Sequence, residues 1–411
     1  MDRAELRIQS FLKLGYFIDY DAKRYPLDFS RIDKSRYYGA SVEDLVSIGI
    51  EKLHETFSRA FRTGHEHVVP ISGGLDSRLI LGALLEQTEA RNLYTYTFGI
   101  PGTYDYDLGS VVAKEMGTRH VTFSLDQISY HEDELLDFAR RSDCQAVLFN
   151  HPPIWELDRR YGGATFWSGY VGDAVAGSHL HDPPSSTLEE AKRVHIKNRT
   201  WVRTTRLHTC DDSEFLPFVG GGAQDPEILT FDEQVLFDEA VAKFTEPLVL
   251  FRGPAYQTPL INTPWMDFMF SVPNEHRLDE ALMIRIAERA FPRLFSLPSK
   301  NTLGYGADVS SRVLRVQRLV NKARKAIHQF APQLVSYPHI QYNDFNEAIR
   351  RSPDLRAIVL SNIERLRARK IVDFVDFDGL LSRHMRRVRN HADALIVLAS
   401  LELLLRAKQL D

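Results

Sequence analysis

The stretch HVVPISGGLDSRLILGALLE, residues 67–86, sets two adjacent glycines between a β-branched run and an amphipathic helical pattern. A strand, a glycine turn and a helix start in that order form an anion site. The glycines let the backbone approach a phosphate, and the first free N–H groups of the helix point at it. Ser72 and Ser77 add hydroxyl donors, and Gly73 and Gly74 make the turn. Asp76 suits a polyanion only if a divalent cation stands between them, because a carboxylate plus phosphate oxygens is how Mg²⁺ is usually held. Other phosphate loops fit less well. No Gly-Lys dipeptide occurs anywhere in the chain, and the GxGxxG spacing is absent from this turn.

The alternation continues along the chain. LYTYTF (93–98) reads as a strand, DLGSVVAKEMG (107–117) as a helix, HVTFSL (120–125) as a strand, and ATFWS (164–168) as a short strand running into a second glycine loop. Upstream, Leu45, Val46, Ile50, Leu53, Phe57 and Phe61 form a helical stripe, with Ser41 and Asp44 as an N-cap pair and Gly64 as the stop. Strands alternating with helices predict an α/β fold: a parallel sheet with helices on both faces, its ligands bound at the carboxyl ends of the strands. Beyond about residue 180 the HDPPSS and VGGGAQDP turns appear. From Ser311 the periods are helical, giving a helical C-terminal portion. The expected organisation is an extension over 1–40, a catalytic α/β unit over 41–310 and a helical part of the same unit over 311–411.

Composition narrows the function classes. A net charge of −4 gives no general attraction to nucleic acid, and two cysteines, Cys144 and Cys210, make neither a disulfide framework nor a zinc spacing. No apolar run reaches membrane-spanning length and the N-terminus lacks a signal-peptide core, so a soluble, cytoplasmic chain is expected.

The SGGxDS string resembles the pyrophosphate loop of the N-type ATP pyrophosphatases, which include asparagine synthetase and β-lactam synthetase. WSGYVGDAVAGSH (167–179) resembles the second loop of asparagine synthetase at Ser168, Gly169, Gly172, Asp173 and Gly177. The resemblance implies an enzyme that splits ATP between the α and β phosphates, with Asp76 and Asp173 sharing Mg²⁺. Thr97, Phe98 and Gly99 would lie at the nucleotide, after the adenine-contacting strand. TPWMDFMFSVPNEHR (263–277) puts Asp267 at an acidic position of the family. PSKNTLGYGAD (298–308) is similar to its lysine-bearing loop, with Lys300 over the pyrophosphate.

Two departures refine that expectation. Asp2 stands where glutamine-using asparagine synthetases carry a cysteine, and 71 residues precede Ser72, which predicts that no glutaminase unit belongs to this chain. Tyr170 replaces the loop glutamate, a pattern of β-lactam and carbapenam synthetases and of lasso-peptide cyclases. There a Tyr–Glu dyad takes the proton from an amine nucleophile. Glu214 is the expected partner of Tyr170. The resemblance thus implies an AMP-forming amide ligase using ATP and Mg²⁺ on a small-molecule or peptidyl carboxylate and an amine. Two alternatives stay open: an amidating subunit supplied with free ammonia or by a separate glutaminase, and an inactive nucleotide binder. A carrier protein and a homodimeric partner are also left open, whereas nucleic acid and membrane are not expected partners. The basic RHMRRVRNH (383–391) reads as a solvated helix face, and GGG at 220–222 as a flexible loop.

Overall fold

β-Branched and aromatic residues in short runs build five strands: β1 His67–Pro70, β2 Leu93–Gly99, β3 Arg119–Ser124, β4 Thr165–Trp167 and β5 Ala255–Gln257. They are seen in a computed structural model of the protein, which describes residues 2–21, 25, 27–202, 204–222, 225–306, 308–330, 335 and 342–409. All four pairings are parallel, and the order is β3-β2-β1-β4-β5. The strands therefore run outward from β1 in both directions, and the crevice between β1 and β4 is the point where α/β sheets bind ligands. Val68, Val69, Leu93 and Trp167 are fully buried, as strands covered on both faces require. The expected α/β sheet surrounded by helices is the observed one.

Helix boundaries depart from the sequence pattern in explicable ways. The helix Val42–Ala60 is capped by Ser41, whose Oγ accepts from the Asp44 N–H at 3.2 Å. It ends before Gly64, which instead serves a following turn at φ 81°. The helix after β2 begins at Tyr104, three residues before the periodic run, because Thr103 ends the turn at an extended ψ. A helix at Arg3–Leu14 lies within the stretch expected to be an extension. Asp2 caps it at 2.7 Å and Gly15 closes it at φ 83°. Its Phe11 and Leu12 pack in one cluster with Leu395, Leu398 and Leu401 of the last helix, so both ends of the chain share a core. β5 has only three residues, too few for an alternating pattern to show in the sequence.

C-terminal helices run over Ser311–Phe330, Phe345–Arg351, Pro353–Arg369, Phe377–Met385 and Ala392–Gln409. No described helix is long and apolar enough to cross a membrane. Ala223 and Gln224 of the VGGGAQDP turn, Ala307 of the lysine-bearing segment and Leu410 of the last helical run lie outside the described residues. Gly220 is tied down: its N–H donates to Glu239 Oε1 at 2.6 Å.

Candidate active site

The first glycine turn is built by close approach. Ile71 N–H donates to Tyr96 O at 2.8 Å, extending the β1–β2 pairing, and the chain then turns. A Cβ on Gly73 would lie 2.8 Å from Tyr104 O, so only glycine fits there. Gly73 N–H donates to Asp105 O at 3.2 Å, and Gly73 O accepts from Lys300 N–H at 2.9 Å. The turn is thus clamped between the helix Tyr104–Met116 and the lysine-bearing segment. A Cβ on Gly74 would meet Lys300 Cε at 3.4 Å, which shows that the lysine stem lies over the turn. Ser72 Oγ accepts from Gly74 N–H at 3.1 Å, and Ser77 Oγ from Ser72 N–H at 3.3 Å. The helix Asp76–Leu85 has no side-chain cap, leaving its first N–H groups for a ligand.

The lysine segment is held from beneath. Arg78, fully buried, donates from Nη1 to Leu297 O at 3.0 Å and from Nη2 to Pro298 O, two residues before Lys300. Burial lowers its pKa to about 10.

The second turn follows β4 on the adjacent strand. Gly169 brings the two turns together, since a Cβ there would sit 3.1 Å from Asp76 Cβ. Val171 takes a left-handed φ of 48°, and Gly172 admits Leu260, whose Cδ1 would lie 2.3 Å from an added Cβ. The buried Arg277 anchors the short helix Gly172–Ala176, donating to Val175 O at 2.9 Å and to Glu233 Oε1 at 3.0 Å.

Tyr170, 2% exposed, donates its hydroxyl to Glu246 Oε2 at 3.2 Å. Glu246 arrives on a helical run from Phe231 to Val249, directly after a π-helical stretch, Phe237–Thr245. Such stretches insert a residue into the helix and recur at functional sites. The expected partner, Glu214, is not brought to Tyr170. Its Oε1 accepts from the Asp211 N–H at 2.9 Å in a capping box, which uses up a carboxylate that chain distance alone made plausible. Asp267 accepts from Thr263 Oγ1 at 3.3 Å and does not line the cavity described below.

Three carboxylates face one another across the turns. Burial holds the Asp76 carboxyl well above its ordinary pKa, reinforced by the charges of Asp173 and Glu280, and its Oδ1 has no hydrogen-bond partner. Glu280 is pushed up to about 7, by burial first and then by Asp173. It reaches this place through two successive left-handed residues, Asp279 at φ 53° and Glu280 at φ 60°. Asp173 behaves differently. Burial disfavours its charge, but His179, the Ala174 N–H and Lys300 outweigh that and hold it below the usual range. Lys300 Nζ lies 3.2 Å from Asp105 Oδ1. A strained, mutually repelling set of carboxylates with an orphaned oxygen suits a divalent cation. Among the described residues no three His, Cys, Asp or Glu side chains are placed to ligate one metal by themselves. Phosphate oxygens would have to complete the shell.

These elements surround a cavity of about 470 Å³. Of the residues singled out from sequence, Ser72, Gly74, Asp76, Ser77, Phe98, Ser168, Gly169, Tyr170, Asp173 and Lys300 line it. Gly73, Thr97 and Gly99 lie behind the wall. Thr97 Oγ1 donates to Ile71 O at 2.6 Å, so its side chain ties β2 to β1 and does not reach the cavity. Gly99, at φ 149°, gives room to Tyr342, whose Cβ would be 2.8 Å from an added one. Sequence reasoning missed Asp105, His151, Glu246, Glu280 and Tyr342, all near or in the wall. For Glu246 a signal existed: a lone carboxylate in the apolar run FTEPLVLF.

Residues 50–211 match the family model for asparagine synthase. A search of curated proteins returned no match. The matched segment holds both glycine turns and four of the five strands, and over it the chain is similar to that family.

Proposed function

We propose that the chain adenylates a carboxylate with ATP and then joins the acyl group to an amine, releasing pyrophosphate in the first step and AMP in the second. The observation that carries this reading is the Tyr170–Glu246 contact beside the cavity that holds the SGG turn and Lys300. A carboxylate is a poor acyl donor because its oxygen leaves badly. When a carboxylate oxygen attacks the α phosphorus, the bond from that phosphorus to the bridging oxygen breaks and pyrophosphate departs. The amine nitrogen then attacks the acyl carbon, and AMP leaves with the former carboxylate oxygen.

Each group has a place in that sequence. Gly74 and the uncapped helix start would cradle the phosphates, with the Ser72 and Ser77 hydroxyls beside them. Lys300 would meet the charge that grows on the departing pyrophosphate. Asp76 and Asp173 would hold Mg²⁺, which supplies charge neutralisation for the phosphates when bound. Tyr170 would take the amine proton on its oxygen while its own proton passes to Glu246 Oε2.

The test is pyrophosphate release that depends on added carboxylic acid and yields AMP; Asp76→Ala should abolish it. Accumulation of ADP would refute the reading. Ammonium as sole nucleophile separates it from simple amidation, since a site with a dedicated base should prefer a primary amine to ammonia.

A further inference from the structure

The cavity has two unlike ends, set by the strand order. On the β2 side stand the phosphate turn, Phe98 and Tyr342, whose rings lie 5.0 Å apart. On the β4–β5 side the wall is apolar. Phe166 of β4 faces Tyr256 of β5 with ring centres 6.1 Å apart, and Phe251 abuts Tyr256 at 6.0 Å. Leu248 and Val249 complete this wall, two and three residues beyond Glu246. The acyl group must therefore rest against this surface if it is to meet the dyad.

One polar group in the wall is left over. His151 is 2% exposed, stacks on Phe138 at 3.6 Å, and places Nδ1 2.7 Å from Pro152 O. A carbonyl only accepts, so Nδ1 carries the proton and Nε2 is left as a bare acceptor. Burial lowers the ring's pKa to about 4, which keeps it neutral. Nε2 has no partner among the described residues. A buried acceptor without a donor costs stability, an expense a ligand can remove.

We propose that the acyl substrate is a carboxylic acid with an apolar, ring-sized body that bears a hydroxyl or N–H donor, and that His151 Nε2 accepts from that donor. A free amino acid such as aspartate fits poorly. Among the described residues lining the cavity, the only cation is Lys300, and Asp105 already engages it. A second carboxylate against Phe166 and Leu248 would lie unpaired in an apolar wall.

The inference rests on the adenylating reading, and two assays separate them. Wild-type protein with ATP and Mg²⁺ is titrated by calorimetry with phenylpropionate, p-hydroxyphenylpropionate and aspartate, and each acid is also tested for ATP–pyrophosphate exchange. The hydroxylated acid should bind about tenfold tighter than its parent, and aspartate weakest. His151→Leu should shrink that preference to about twofold or less, since the acceptor is gone. An acid that binds as described without exchange overturns the adenylating reading and leaves the pocket assignment standing. If neither aryl acid binds more tightly than aspartate, or the hydroxyl preference survives in His151→Leu, the pocket assignment falls whatever the exchange shows. The wild-type comparison stands alone should the variant fail to fold.

Discussion

Tyr170 and Glu246 stand 76 residues apart in the chain, and the phenol donates to the carboxylate at 3.2 Å in a buried setting. In the proposed reaction the pair would separate two chemical steps, because a base for the amine would be needed only after the acyl adenylate has formed. Tyr170→Phe and Glu246→Gln should each lower amide formation by about 10²–10⁴-fold. Acid-dependent ATP–pyrophosphate exchange should stay within about threefold of wild type, since the proton relay plays no part in adenylation. The double variant should be little worse than either single one, as groups acting as a unit are not additive. Exchange that falls in step with amide formation would refute the assigned role.

The ease with which the phosphate turn, and not this dyad, could be read from sequence has a physical cause. Ser72 through Ser77 act through backbone geometry, and a glycine pair after a β-branched run dictates that geometry locally. The same holds for the strands, whose apolar runs announce burial on both faces. Glu246 reaches Tyr170 across 76 residues, directly after a π-helical stretch, and no local pattern encodes that approach. Chain distance suggested Glu214, but a capping box had a stronger local claim on it. Glu280 was hidden for a related reason. Its place beside Asp173 depends on two left-handed residues, Asp279 and Glu280, a conformation that Asp favours only weakly and Glu not at all. Thr97 and Gly99 were placed on the right strand, but alternation turned Phe98 to the cavity and its neighbours away.

Lys300 is positioned by two kinds of contact that mutation can separate. Its own backbone N–H is bound by Gly73 O, and the segment before it hangs on the Arg78 guanidinium. Lys300→Ala should lower acid-dependent pyrophosphate release by about 10²–10³-fold with little change in melting temperature. Arg78→Met should instead lower both, costing about 1–3 kcal/mol of stability because two half-buried carbonyls lose their donor. A Lys300→Ala protein that melts early, or an Arg78→Met protein as stable as wild type, would contradict this division.

If Asp76 holds a cation as proposed, the empty site should carry strain that the ligand relieves. Its carboxyl is held up by burial and by Asp173 and Glu280, so the empty protein is better off without the charge. Asp76→Asn should raise the stability of the nucleotide-free protein by about 1 kcal/mol in chemical denaturation. The same substitution should erase the stabilisation that ATP with Mg²⁺ gives the wild type, and should abolish pyrophosphate release. A variant that is less stable without nucleotide would show that Asp76 is structural and carries no such strain.

Two buried histidines in the basic C-terminal stretch predict a pH response. His384 and His391, expected on a solvated face, are at most 1% exposed. His384 Nδ1 accepts from the His391 N–H at 3.2 Å and so must stay unprotonated. Burial, with Arg350 and His391 nearby, lowers the His384 pKa to about 3, and burial with Arg389 and Arg383 lowers that of His391 to about 4. Unfolded histidine takes up a proton near pH 6.5, roughly. Below that pH the unfolded chain binds protons that the folded chain refuses, so the contribution is complete above about 6.5 and is lost as pH falls toward 4. Each histidine gives a slope of about 1.4 kcal/mol per pH unit, or together a loss of about 4 kcal/mol at pH 5. Burial of His151 and His195 adds to the fall with the same sign. His384→Asn, whose Oδ1 can replace the Nδ1 acceptor, should flatten the decline by about one histidine's slope in urea denaturation at a series of pH values. An unchanged slope would mean that His384 is already charged in the folded protein, which its hydrogen bond to the main chain forbids.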